Sequence, residues 1–67
     1  MNWKKIYQSE FMHQAQIVKE FLENHEIHAI LLDKKDTSYK LGLCEVYVLQ
    51  EQVLIAINLI KENISFE

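Results

Sequence analysis

The chain has 67 residues, seven Lys, no Arg, ten Asp plus Glu, and a net charge of −3 with His neutral. That length allows one domain and excludes a second. One Cys excludes an intrachain disulfide and a paired-thiolate zinc site, and one Gly excludes the glycine-rich loops that let backbone approach phosphate. A negative balance without Arg speaks against a nucleic-acid backbone as partner. The longest apolar run is Val53 to Ile57, far short of the roughly 20 residues that cross a bilayer. No apolar stretch follows Met1-Asn2-Trp3-Lys4-Lys5, so no signal peptide is read there, and no membrane partner is expected. A lone Cys suits the reducing cytoplasm.

Trp3 to Gln8 reads as a strand, with Trp3, Lys5 and Tyr7 on one face and Lys4, Ile6 and Gln8 on the other. Ser9 suits an N-cap and Glu10 the first turn of a helix. Phe11, Ala15, Val18 and Leu22 then form one helical stripe, flanked by Ile17 and Phe21, and the helix should stop near Asn24. Ile27 to Leu32 reads as a second strand, with Ile27, Ala29 and Leu31 on one face and His28, Ile30 and Leu32 on the other. The polar stretch Asp33 to Gly42 reads as a loop, with Gly42 available for positive φ.

Glu45 to Leu49 is the third strand, with Val46 and Val48 inward and Tyr47 outward. A second helix runs from about Gln50 to Asn63, its core stripe being Val53, Ala56, Ile57 and Ile60. Ile64-Ser65-Phe66 alternates as a short final strand would. The order βαββα(β), with two amphipathic helices on one face of an antiparallel-rich sheet, predicts a single ferredoxin-like α+β domain over residues 1–67. The right-handed crossover rule is expected to set strand one beside and parallel to strand three.

Several stretches resemble a small bacterial family described as prokaryotic signal-transducing proteins of unknown function. They are Ala15…Ile17-Val18-Lys19…Leu22-Glu23…Ile27…Ala29, Asp33-Lys34-Lys35-Asp36-Thr37-Ser38-Tyr39, Gly42…Glu45-Val46-Tyr47-Val48 and Ala56…Leu59-Ile60. The Lys-Lys-Asp-Thr-Ser-Tyr stretch is most like versions from the Bacteroidetes. The resemblance spans roughly Trp3 to Glu62 and implies a fold similar to the PII (GlnB-like) regulators, which are ferredoxin-like and assemble through their sheets. It brings no catalytic residue. Two positions depart from the family pattern. Glu26 stands where the family usually has Gly, at about 1 kcal/mol if the position is left-handed; otherwise Asn24 or His25 takes the turn. Leu54-Ile55 stands where the family tends to be charged.

Three surfaces carry the functional reading. The first is the sheet face pointing away from the helices, with Trp3, Tyr7, His28, Ile30, Leu32 and Tyr47, which is too apolar for a solvated face. A subunit interface is favoured there over a ligand platform or a base-stacking surface, since stacking surfaces need accompanying cations. The second is the outer side of helix two, where Ile55 and Leu59 lie together as a subunit contact or as scattered surface apolars. The third is the loop, where Lys34, Lys35 and Lys40 beside Thr37, Ser38 and Tyr39 suit a partner protein or a small anion; in PII-like regulators the corresponding connection touches partners. The plain alternative is a solvated turn, because Lys is a mobile point charge without the fork of Arg.

His25 and His28 flank a turn and His13 lies on helix one, so no metal set converges, and no cofactor or catalytic constellation is read. The expectation is a non-enzymatic regulatory or binding module, homo-oligomeric with a dimer favoured; the alternative is a structural oligomerisation domain without a ligand.

Overall fold

In the computed structural model, which describes residues 2–36 and 41–64, the chain forms β1 (Trp3–Ser9), α1 (Met12–Asn24), β2 (Ala29–Asp36) and β3 (Leu41–Leu49). A 3₁₀ turn over Gln50–Gln52 then leads into α2 (Val53–Asn63). The result is an α+β fold, a three-stranded sheet in the order β1-β3-β2 with two helices packed on it.

Strands one and three are neighbours, but they run antiparallel, which corrects the expected parallel pairing. The reason is topological. The α1 crossover returns the chain in the direction it started, so β1 and β2 run the same way. β3 is antiparallel to β2, lies between the two, and therefore opposes both.

The core forms where the inner sheet face meets the helices: Ala15, Val18 and Leu22 of α1, Ala29, Cys44, Val46 and Val48 of the sheet, Ala56 of α2, and Ile27. Four of these nine are Ala or Cys, and small side chains let the helices sit close to the sheet. Phe11, expected in the α1 stripe, is exposed instead. It is the residue before the helix, with φ −108° and ψ 117°, so the helical wheel does not apply to it. The Ser9 hydroxyl accepts the Phe11 N–H at 3.0 Å and donates to Gln14 Oε1 at 3.0 Å, so Ser9 braces the approach to the helix rather than capping it.

α1 ends in a Schellman turn. Glu26 N–H bonds the Glu23 carbonyl and Ile27 N–H bonds the Leu22 carbonyl, both at 3.0 Å. Leu22 and Ile27, which bracket the turn, are both in the core. The motif needs a left-handed residue at its penultimate position, and Glu26 takes it with φ 64°. The left-handed residue is therefore Glu26, not Asn24. The Gln52 side chain holds this turn from the other end of the chain, accepting the His28 N–H at 3.0 Å and donating to the Glu26 carbonyl at 3.4 Å.

Two further expectations shift. The polar stretch is strand at both ends: Asp33 to Asp36 continue β2, opposite Cys44 to Leu41, and Gly42 lies in the ladder opposite Lys35. On α2, Val53, Ala56 and Ile60 face the core as expected, but Leu59 packs there too while Ile57 is 36% exposed. Ile57 and Leu59 lie on opposite flanks of the stripe, and the helix is rolled toward Leu59. Ile64 is partly buried against the core, its N–H bonded to the Ile60 carbonyl at 2.9 Å. The rest of the suggested final strand, residues 65–66, lies outside the described residues.

Candidate binding surface

Register decides which side chains share the open sheet face, because directly opposed residues point the same way. Tyr47 is opposed by Lys5 and Ile30, Glu45 by Gln8 and Leu32, Leu49 by Trp3, and Leu43 by Lys34. The face therefore carries Trp3, Ile30, Leu32, Leu43, Tyr47 and Leu49 around one acidic residue, Glu45.

Glu45 lies at the middle of the central strand and is only 5% exposed, the one buried charged residue among those described. Its carboxylate is fully occupied. The Tyr47 hydroxyl donates to Oε1 at 2.9 Å, Lys34 Nζ reaches Oε1 at 3.1 Å, and Lys5 Nζ reaches Oε2 at 3.4 Å. Lys5 also donates to Gln8 Oε1 at 3.1 Å. The Tyr47 hydrogen bond, then those from Lys34 and Lys5, hold the Glu45 carboxyl below the usual carboxylate range, against the opposing effect of burial. Reciprocally, the hydrogen bond and charge of Glu45 raise the Lys34 ammonium above its ordinary value.

Tyr7 was expected on this face and is not there. The β1 register shifts by one between Lys5 and Tyr7, leaving Ile6 as the extra residue of a β-bulge. Tyr7 thus opposes Val46 and, with Ile6, packs against the core. Of the other expected interface residues, Trp3 and Leu32 are exposed on the open face, while Ile30 and Tyr47 are half-buried there. Ile55 is exposed on α2, whereas Leu59 belongs to the intrachain core, which corrects its assignment to the outer side.

The lysine-rich stretch divides. Lys34 is a strand residue paired with Glu45. The Lys35 side chain and Thr37, Ser38, Tyr39 and Lys40 lie outside the described residues. Sequence reasoning missed Glu45 and Lys5. The signal was present: Glu45 is two residues from an outward Tyr47 and must share its face.

Among the described residues no group of three or more His, Cys, Asp and Glu converges as a metal site, and no buried side-chain nitrogen or oxygen lacks a hydrogen-bond partner. No described helix is long and apolar enough to cross a membrane. Cys44 is buried, with its Sγ 3.8 Å from Met12 Sδ and 3.9 Å from Asp33 Oδ1. No family model, no curated protein and no solved structure matches this chain.

Proposed function

We propose that this chain is a ferredoxin-like binding module of the PII-like regulatory kind, non-enzymatic and cytoplasmic, that works by docking its open sheet face on a second copy of itself. The observation that carries the reading is the internally neutralised Glu45 at the centre of an apolar face. Covering a face with a bare carboxylate would strand a charge away from water, which is strongly unfavourable. Here the carboxylate already has three partners, so Trp3, Ile30, Leu32 and Tyr47 can be covered without leaving it unpaired. The two ammonium groups belong to exposed lysines, whose long stems let them reach the rim of a contact. A chain of this size also gains more than a larger one from burial against a subunit.

The lysine-rich connection is secondary in this reading. Lys34 is engaged by Glu45, so a small anion would compete with a carboxylate already in place. The test is sedimentation of the full chain against Leu32→Lys. Leu32 is exposed and lies opposite Glu45, so a lysine there is compatible with the folded protomer but not with an apolar contact. The expected result is a smaller assembly than the wild type forms at the same concentration, with unchanged circular dichroism. An unchanged mass for Leu32→Lys, or a wild-type chain that stays monomeric up to about 500 µM, would overturn the reading.

A further inference from the structure

The outward side of α2 is the most apolar exposed helix surface among the described residues. Leu54 is 77% exposed and Ile55 58% exposed, and neither takes part in the core. With the core stripe pointing to the sheet, the helical wheel places Leu54, Asn58 and Lys61 along the outward line, with Ile55 on one side and Ile57 on the other. Gln52 is turned inward by its bonds to the Glu26–His28 turn, so Glu51 before it extends the outward line. Glu51 and Lys61 are both exposed, and neither takes part in an ion pair among the described residues.

This line is self-complementary. Glu51, Leu54, Asn58 and Lys61 are placed symmetrically about Ala56 and carry opposite charges at their ends. We infer that α2 pairs antiparallel with α2 of a second copy across a two-fold axis at Ala56, through a contact separate from the open sheet face. The two-fold brings Ile55 to Ile55 of the copy on one side and Ile57 to Ile57 on the other. Leu54 packs beside Asn58 of the copy, and Glu51 meets Lys61 of the copy at each end. Antiparallel helices also oppose their dipoles favourably. The contact is isologous, as a two-fold requires. It is smaller than a standard interface, so it forms at high protomer concentration or as a second contact in an assembly already joined by its sheets. The pairing does not depend on the sheet-face contact; only growth beyond a dimer does.

The experiment uses the full chain in the Leu32→Lys background, so that any sheet-face contact is absent. Sedimentation from about 10 µM to about 500 µM should show this variant reaching a dimer, about twice the 8.0 kDa protomer. Glu51→Lys or Lys61→Glu alone should weaken that dimer by about tenfold or more, and the two together should restore it. Helix stability cannot produce the restoration. Each reversal opposes the helix dipole, and the pair opposes it more than either alone. Ile55→Cys provides a second measurement, since oxidation should link two copies through the new thiol while the buried Cys44 stays reduced. A monomer at every concentration, a dimer indifferent to all three charge variants, or no linked dimer from Ile55→Cys would overturn the inference. Failure of the sheet-face reading looks different, because wild type and Leu32→Lys would then have the same mass.

Discussion

The two faces of the sheet are built on opposite plans. The fully covered part of the inner face is made of small and mid-sized residues, Ala29, Cys44, Val46 and Val48, which let Ala15, Val18, Leu22 and Ala56 approach closely, with Tyr7 and Leu31 flanking them. The open face carries Trp3, Ile30, Leu32 and Tyr47 and puts its one acidic residue, Glu45, on the central strand between lysines of the two edge strands. On the first face stability comes from close contact between helices and strands. On the second, a neutralised Glu45 makes wide side chains tolerable without a covering layer. The fold therefore rests on one face and leaves the other uncovered by its own helices.

The sharpest way to test that division is to remove the same side chain from each face. Leu22 is fully buried and closes the Schellman turn, so Leu22→Ala should cost about 3 kcal/mol, enough to unfold much of so small a domain. Leu32→Ala should cost the protomer under about 1 kcal/mol and act on association instead. Urea titration at low protein concentration separates the two. Comparable losses would mean that the open face supports the protomer as much as the core does.

The next effect concerns the centre of the open face. Because the folded Glu45 carboxyl lies below its ordinary 4.5, its contribution is complete above that value and is lost as pH falls through the folded value. Lys34 works in the opposite sense. Raised above 10.5, it contributes fully below that pH and loses its contribution as pH rises through the folded value. Thermal melts of the wild type should fall at both ends. Glu45→Gln should lower the plateau and flatten both limbs together, because one carboxylate underlies both shifts. A Gln variant that keeps its alkaline limb would show that Lys34 is held by another group.

Much of this was legible in the sequence, and what was not has physical causes. The element order and helix positions followed from apolar spacing, and Ala15, Val18, Leu22, Val46 and Val48 were recognisable as core because each lies on an unbroken period. Tyr7 was misplaced because a bulge adds one residue, and period-two counting cannot see an insertion. Asp33 to Asp36 read as loop from sequence because all four are charged, and a stretch with no apolar residue shows no alternation. In the strand, Lys34 pairs with Glu45 across the open face, so the sheet itself matches that charge. Leu59 and Ile57 exchanged roles because a helix with apolar residues on both flanks has a stripe too broad to fix its roll.

The departure at Glu26 sets a smaller effect. Its φ of 64° is left-handed and its side chain is exposed, so Glu26→Gly removes a steric cost and loses no packing. Stability should rise by about 1 kcal/mol, seen as a melting temperature several degrees higher. Glu26→Ala should bring no such gain, since alanine keeps the Cβ. If Ala and Gly were equally stabilising, the cost would lie in the glutamate side chain and not in the backbone.

The smallest effect is at Gln52, which joins that turn to the start of α2. Its amide serves the His28 N–H and the Glu26 carbonyl, both in exposed surroundings where water can replace it, so Gln52→Ala should cost only about 0.5 to 1 kcal/mol. The informative quantity is its coupling to Glu26. The amide holds the backbone in the left-handed geometry that glutamate resists and glycine accepts. Gln52→Ala should therefore cost less in the Glu26→Gly background than in the wild type. A double-mutant cycle reads this directly. Strict additivity would mean that the Leu22 and Ile27 contacts alone fix the turn, and that the covered face, not the α2 junction, sets its geometry.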